Sequence, residues 1–239
     1  AVKLLALESS AKAASCAVLA DGALAASAWQ ATGLTHSRTL LPMVEDMLKN
    51  SGLTLAELDA LAVAAGPGSF TGLRIGSATA KGLGLVLGKP LIEVPTLEGL
   101  AWNLWGSDRI VCPLMDARRN QVYTAAYEFL PQGEGFVMDT LISQNPKDID
   151  VILEELTEIG RPVVFLGDGV PVYADTIREK CHVPYALAPA GSNRQRGASI
   201  AALGAVYLRQ GKTVSAAGHK PEYLRKSQAE QESQRRQCS

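Results

Sequence analysis

Apolar and polar positions alternate along the chain in two similar rounds. Val2 to Leu7 is a continuous apolar run stopped by Glu8-Ser9-Ser10, the pattern of a strand buried on both faces. Ser15 to Leu19 and Ala23 to Trp29 flank Asp21-Gly22, two residues that tolerate positive φ and so predict a tight hairpin. His36 to Asn50 has helical spacing and is closed by Ser51-Gly52. Ala60 to Ala65 reads as a strand, Gly66-Pro67-Gly68 as a turn, and about Thr71 to Leu87 as a second helix. Leu91 to Val94 is a further strand, after which Thr96 caps a helix through Trp105.

The second round starts near Arg109. Ile110 to Met115 is a strand ending at Asp116, Gln121 to Phe129 is its hairpin partner, and Phe136 to Ile142 is a third strand. Asn145-Pro146 is expected to open a helix to Ile159, because proline at a first helical turn loses no hydrogen bond. Val163 to Leu166 is a strand ending in Gly167-Asp168-Gly169, and Ser199 to Arg209 is a late helix. Ser227 to Ser239 is polar and reads as a loosely ordered tail. Three antiparallel strands followed by alternating helix and strand is the pattern of a ribonuclease-H-like unit. Two in tandem predict an α/β fold of the actin-like, Hsp70-like (ASKHA) class. The lobes are expected at 1–105 and 106–226, followed by a polar tail at 227–239. The last segment of the second lobe is a candidate to return to the first.

Composition narrows the function classes. The chain has 239 residues, 47% hydrophobic and 20% charged, which is ordinary for a globular protein and too apolar for a disordered one. A net charge of -1 provides no general field for a polyanion, so any nucleic-acid role is expected to be indirect. The four cysteines at 16, 112, 181 and 238 have no paired spacing and predict free thiols rather than a zinc knuckle. No window approaches the ~20 apolar residues that span a bilayer. The expectation is a cytoplasmic protein with no membrane contact.

Chemistry-bearing groups are sparse. The run Gly66-Pro67-Gly68-Ser69-Phe70-Thr71-Gly72 ends a strand and opens a helix, where free amides favour an anion. It matches neither a Walker loop nor the dinucleotide fingerprint. In the helix that follows, Gly72, Gly76, Ala80, Gly84 and Gly88 recur at every fourth position. Glycine inside a helix costs about 1 kcal/mol relative to alanine, so the stripe needs a closely packed neighbour. Two packings supply one: the protein's own sheet, or a helix of a second chain. In the preceding helix, Leu40, Leu41, Met43, Val44, Met47 and Leu48 spread over an arc of roughly 160°, wider than the ~100° that a single core requires. The excess, with the flexible Met43 and Met47, points to a partner surface. Glu8 stands where a kinase of this architecture carries aspartate, and Asp116 ends the equivalent strand of the second half. Asp168 sits between two glycines. No metal pair accompanies His36, and His36, His182 and His219 form no nucleophile–base arrangement, which leaves a protease without its machinery.

Several motifs together resemble one family. Leu41-Pro42-Met43-Val44, Gly66 to Gly76, Val94-Pro95-Thr96-Leu97, Asp116-Ala117-Arg118 with Val122-Tyr123, and Pro221 to Arg225 are similar to the bacterial TsaB (YeaZ) proteins. The resemblance implies a non-catalytic subunit in the making of threonylcarbamoyladenosine next to the anticodon of tRNAs reading codons that begin with A. It implies no catalytic residue, metal or cofactor in this chain, with the transferase chemistry in a TsaD paralogue that carries the histidine pair. TsaD as heterodimer partner, the ATPase TsaE as third component, and a homodimer through the same surface are also implied, with tRNA met only indirectly. Pairing through the first two long helices points to His36, Leu40, Met43, Val44, Met47, Gly72, Arg74, Gly76, Ser77, Ala80, Lys81 and Gly84. On that reading Gly76→Leu or Ala80→Leu is expected to weaken pairing. Glu8-Ser9-Ser10 departs from the family's more frequent Asp-Thr-Ala or Asp-Thr-Ser. The alternative on fold alone is a small-molecule kinase of the sugar-kinase type.

Overall fold

The computed structural model describes residues 2–221. The Pro221 to Arg225 motif beyond its first residue, Cys238 and the polar stretch from Ser227 lie outside the described residues. Strands β1 (Lys3–Glu8), β2 (Ala14–Ala20) and β3 (Ala23–Gln30) are antiparallel neighbours. Asp21 and Gly22 turn between β2 and β3 with φ of 54° and 84°, both left-handed as the hairpin requires. After α1 (His36–Ser51), β4 (Ala60–Ala64) pairs parallel with β1. After α2 (Phe70–Leu87), β5 (Leu91–Val94) pairs parallel with β4. The sheet order is β3-β2-β1-β4-β5.

The second half repeats that order. β6 (Ile110–Asp116), β7 (Gln121–Gln132) and β8 (Gly135–Asp148) are antiparallel, α4 (Ile149–Ile159) follows, and β9 (Val163–Leu166) runs parallel to β6. A short α5 (Ala174–Lys180) leads to β10 (Tyr185–Leu187), completing the order β10-β9-β6-β7-β8.

Two helices are exchanged between the halves. The helix after β5, α3 (Thr96–Ala101), buries Leu97 and Leu100 against Val111, Met115 and Tyr127 of the second sheet. The helix after β10, α6 (Gly197–Arg209), buries Ile200 and Leu203 against Leu4, Ala62 and Val94 of the first. The two touch where Gly99 lies against Ile200. Helices α1 and α2 cover the opposite face of the first sheet, over Leu5, Leu7, Cys16 and Val63. Cys16, Cys112 and Cys181 are free. No helix among the described residues is long and apolar enough to cross a membrane.

Two local expectations are corrected. Asn145 and Pro146 do not open a helix. They belong to β8, where Pro146 pairs with Tyr123 across the ladder, and α4 starts at Ile149. An edge strand tolerates a residue that has no amide to donate. Thr96 is not the cap of α3 but its first residue. Its Oγ1 accepts the Gly66 amide at 3.2 Å, and its own amide donates to Gly66 O at 2.8 Å. The helix stops at Ala101, with a 3-10 turn over Trp102–Leu104. Finally, α5 and β10 are too short for a periodic signal, and prolines crowd both.

Candidate functional site

The Gly66 to Gly76 run is closed by the turn after β1. Ser69 N donates to Ser10 O at 2.7 Å, and Ser9 Oγ donates to Gly72 O at 2.8 Å. A side chain at Gly68 would strike Ser10, one at Gly72 the Ser9 carbonyl, and one at Gly76 the Ser9 hydroxyl. Further along, Gly84 faces Leu91 and Ala216, Ala80 is fully buried, and Gly88 is the left-handed C-cap at φ 64°. The every-fourth stripe therefore faces the chain's own β1 turn and β5 edge. Nor is the start of α2 an open anion cradle: Ser10 carbonyl and Ser69 hydroxyl accept the amides of Ser69 and Gly72.

The acids that end strands are also occupied locally. Glu8 is buried, and its Oε1 accepts the Ser10 amide at 2.7 Å. Burial pushes its carboxyl up to about 7, against the opposing effect of the Ser10 hydrogen bonds. Asp116 Oδ1 accepts the Arg118 amide at 2.9 Å and the Tyr173 hydroxyl at 3.3 Å. Asp168 Oδ1 accepts the Asp116 amide at 3.3 Å, and burial raises its carboxyl as well. Glu8 holds its own turn, while Asp116 and Asp168 tie the turn after β6 to the segment after β9. Among the described residues no group of histidine, cysteine, aspartate and glutamate has the arrangement to hold a metal ion.

The expected interface residues divide by burial. Leu40, Met43, Val44 and Met47 lie in the core beneath β2 and β3, with Met47 Sδ 3.8 Å from Cys16 Sγ. Most of the wide arc of α1 is thus used internally, since this helix meets both strands, and of the arc's six residues Leu41 alone is exposed. Gly72, Gly76, Ser77, Ala80 and Gly84 are buried under α2. His36 is half-buried, its Nε2 2.7 Å from Ala11 O. Lys81 is half-exposed and donates to Ala217 O at 3.0 Å. Arg74 is exposed, over the Phe70 ring at 5.4 Å.

What α2 turns outward is a different row, two positions along from the stripe. Arg74, Ala78, Gly82 and Val86 follow each other at four-residue spacing, with Leu85 beside them. Val86 is 86% and Leu85 57% exposed, and on the adjacent α1 Leu41 is 43% exposed. A side chain at Gly82 would meet nothing within 4 Å. No contact among the described residues accounts for this glycine, in contrast to Gly72, Gly76 and Gly84. Sequence reasoning missed this row because both registers carry small residues. The apolar Leu85-Val86 pair next to Gly82 was the available signal.

The chain is similar to known proteins over most of its length. Residues 30–233 match the family model described as TsaD, tRNA N6-adenosine threonylcarbamoyltransferase. The tRNA threonylcarbamoyladenosine biosynthesis protein TsaB of Bacillus subtilis is 34% identical over 195 residues, 82% of each chain. The TsaB protein of Escherichia coli is 31% identical over 234 residues, 95% of this chain and 96% of that one. A crystal structure from Pseudomonas aeruginosa, described as an uncharacterized protein with similarity to peptidase YEAZ, superposes with a TM-score of 0.80 at 29% identity. It covers 94% of this chain and 100% of the other.

Proposed function

This chain belongs to the TsaB (YeaZ) family of tRNA threonylcarbamoyladenosine biosynthesis proteins, has the actin-like α/β fold, and on that premise we propose that it is a non-catalytic docking subunit. Its partner is a TsaD-type transferase, which carries out the chemistry in the cytoplasm. The outward faces of α1 and α2 make the contact. The observation that carries this reading is the open Gly82 between Ala78 and the exposed Leu85 and Val86. Helices approach closely where one side chain is absent, and exposed apolar residues beside the gap complete a packing surface. Arg74 and Lys81 border that face, and His36, packed against Ala11, orients the start of α1 beside it. A TsaE ATPase joins this pair, the same face makes a homodimer when the chain is alone, and tRNA is met through the complex. The local hydrogen bonds that occupy Glu8 and Asp116 support the absence of phosphotransfer here, against the sugar-kinase reading.

Size-exclusion chromatography with light scattering on mixtures with a TsaD homologue tests the proposal. Val86→Asp and Gly82→Leu are expected to abolish or strongly weaken pairing while circular dichroism stays that of the wild type. Wild-type pairing by both variants removes the surface assignment. Turnover of Mg-ATP by the isolated chain would overturn the non-catalytic role.

A further inference from the structure

The two sheets have four outer edges, and three of them are protected. Leu91 of β5 bridges to Val214, and His219 Nδ1 lies 2.6 Å from Glu93 Oε1 over the same strand. β10 is three residues long and bracketed by Pro184 and Pro189. β8 carries Pro146, Lys147 and Asp148 in its final turn of pairing. Proline, charge, shortness and cover are the usual means of keeping an edge from recruiting another strand. Among the described residues β3 has none of these. From Gly22 to Thr35 the chain contains no charged residue and no proline. A register shift opposite Val18/Leu19 interrupts one end, leaving Ala26 to Gln30 regular.

The free backbone of that stretch can be assigned. Ser15 Oγ donates to Ala28 O at 2.8 Å, so the Ala28 carbonyl faces β2. Alternation along the strand turns the amides and carbonyls of Ser27 and Trp29 outward. Beside them, a groove of about 270 Å³ separates β3 from α1. Ala26 and Ala28 form its floor, Met43 and Met47 its wall, and Asp46 and Asn50 its rim. Asp46 is exposed and has no ion-pair partner among the described residues.

We propose that β3 is a docking edge for an extended segment of a partner protein, distinct from the α1–α2 face. The segment adds a sixth strand to the five-stranded first sheet, bonding to Ser27 and Trp29. It lays small or apolar side chains over Ala26 and Ala28 and brings a lysine or arginine to Asp46. Donors and acceptors at strand spacing are matched only by another extended backbone. A second copy of β3 would complete the hydrogen bonds, but it has no cation to offer Asp46, so the charge favours a different chain. The adaptable methionine wall suits a segment whose apolar residues vary.

Panning a display library of random octapeptides against the full-length chain tests this. Enriched peptides are expected to carry small or apolar residues at every second position with a lysine or arginine in that same register, on the face turned to Asp46, and to slow amide exchange at Ser27 and Trp29. Ser27→Pro removes an outward amide and leaves the β2 ladder intact. It is expected to weaken the enriched peptides about tenfold, the scale of a lost backbone hydrogen bond. Asp46→Lys, on an exposed helix position, is expected to weaken them to a similar extent, and it carries the test if Ser27→Pro does not fold. No enrichment, or binding at wild-type strength by the folded variants, overturns the proposal. Loss of self-association in Ser27→Pro without any peptide binding also overturns it and gives the edge to a second copy.

Discussion

Ser9 and Gly72, 63 positions apart, are joined by a 2.8 Å hydrogen bond from the serine hydroxyl to the glycine carbonyl. It locks the turn after β1 onto the first turn of α2 and leaves no room for a Cβ at Gly72 or Gly76. Glycines of one helix therefore have opposite meanings, according to the face on which they lie.

That contrast is measurable. Gly76→Ala and Ala80→Leu are expected to destabilise the chain by about 1–3 kcal/mol through overpacking. Gly82→Ala is expected to stabilise the isolated chain by up to about 1 kcal/mol, the helix-propensity gain. Urea denaturation followed by circular dichroism is the readout. Equal effects at positions 76 and 82 would show that the two faces had been assigned wrongly. The expectation drawn from sequence, that Gly76→Leu or Ala80→Leu reports on pairing, is withdrawn, because both substitutions strike the chain's own core.

Leu85→Asp, like Val86→Asp, places a charge on the outward row without touching the core. Both are expected to leave the thermal midpoint within a few degrees of the wild type. A large drop in midpoint would mean that these side chains are part of the fold itself.

Glu8 makes stability depend on pH. Its carboxyl is raised by burial from an ordinary 4.5 to about 7. The folded state thus holds a proton that the unfolded state releases above 4.5. The favourable contribution is complete below pH 4.5 and is lost as pH rises through 7, an effect of up to about 3 kcal/mol. Glu8→Gln is expected to flatten the fall in stability between pH 5 and 8. Denaturation midpoints at several pH values check this, and an unchanged slope would rule Glu8 out as its source.

Asn103 ties the returning chain to the crossing between sheets. Its Nδ2 donates to Ser192 O at 2.9 Å and to Arg194 O at 2.7 Å, and its Oδ1 accepts the Ser199 hydroxyl. Asn103→Ala leaves these groups without their partner and is expected to cost about 1–3 kcal/mol. Faster amide exchange in residues 188–199 is the local signature, and its absence would place the cost elsewhere.

Much of the chain was legible from its pattern. The two rounds of strands and helices followed from the buried run at Leu4 to Leu7, the Asp21-Gly22 turn and the helical spacing from His36. These signals are local: alternation, left-handed turns and helix ends depend on residues within one or two turns. The family motif was legible for the same reason, being contiguous. Pro146 misled because a residue without an amide suits a first helical turn and a sheet edge equally well, and only the neighbour across the ladder distinguishes them.

What only the tertiary structure decided was direction. Periodicity places Gly76, Ala80 and Gly84 on one face of α2 but does not say what that face meets. Ser9, Leu91 and Ala216 arrive there from three other parts of the chain. The exchange of α3 and α6 between the sheets has the same character, as does the exposure of β3. The sequence by itself determined which elements form and in what order, because local sterics and hydrophobic spacing act over a few residues. Close packing between separate segments, from Leu91 beside Gly84 to Ser9 against Gly72, determined which faces are filled and which remain available to another molecule.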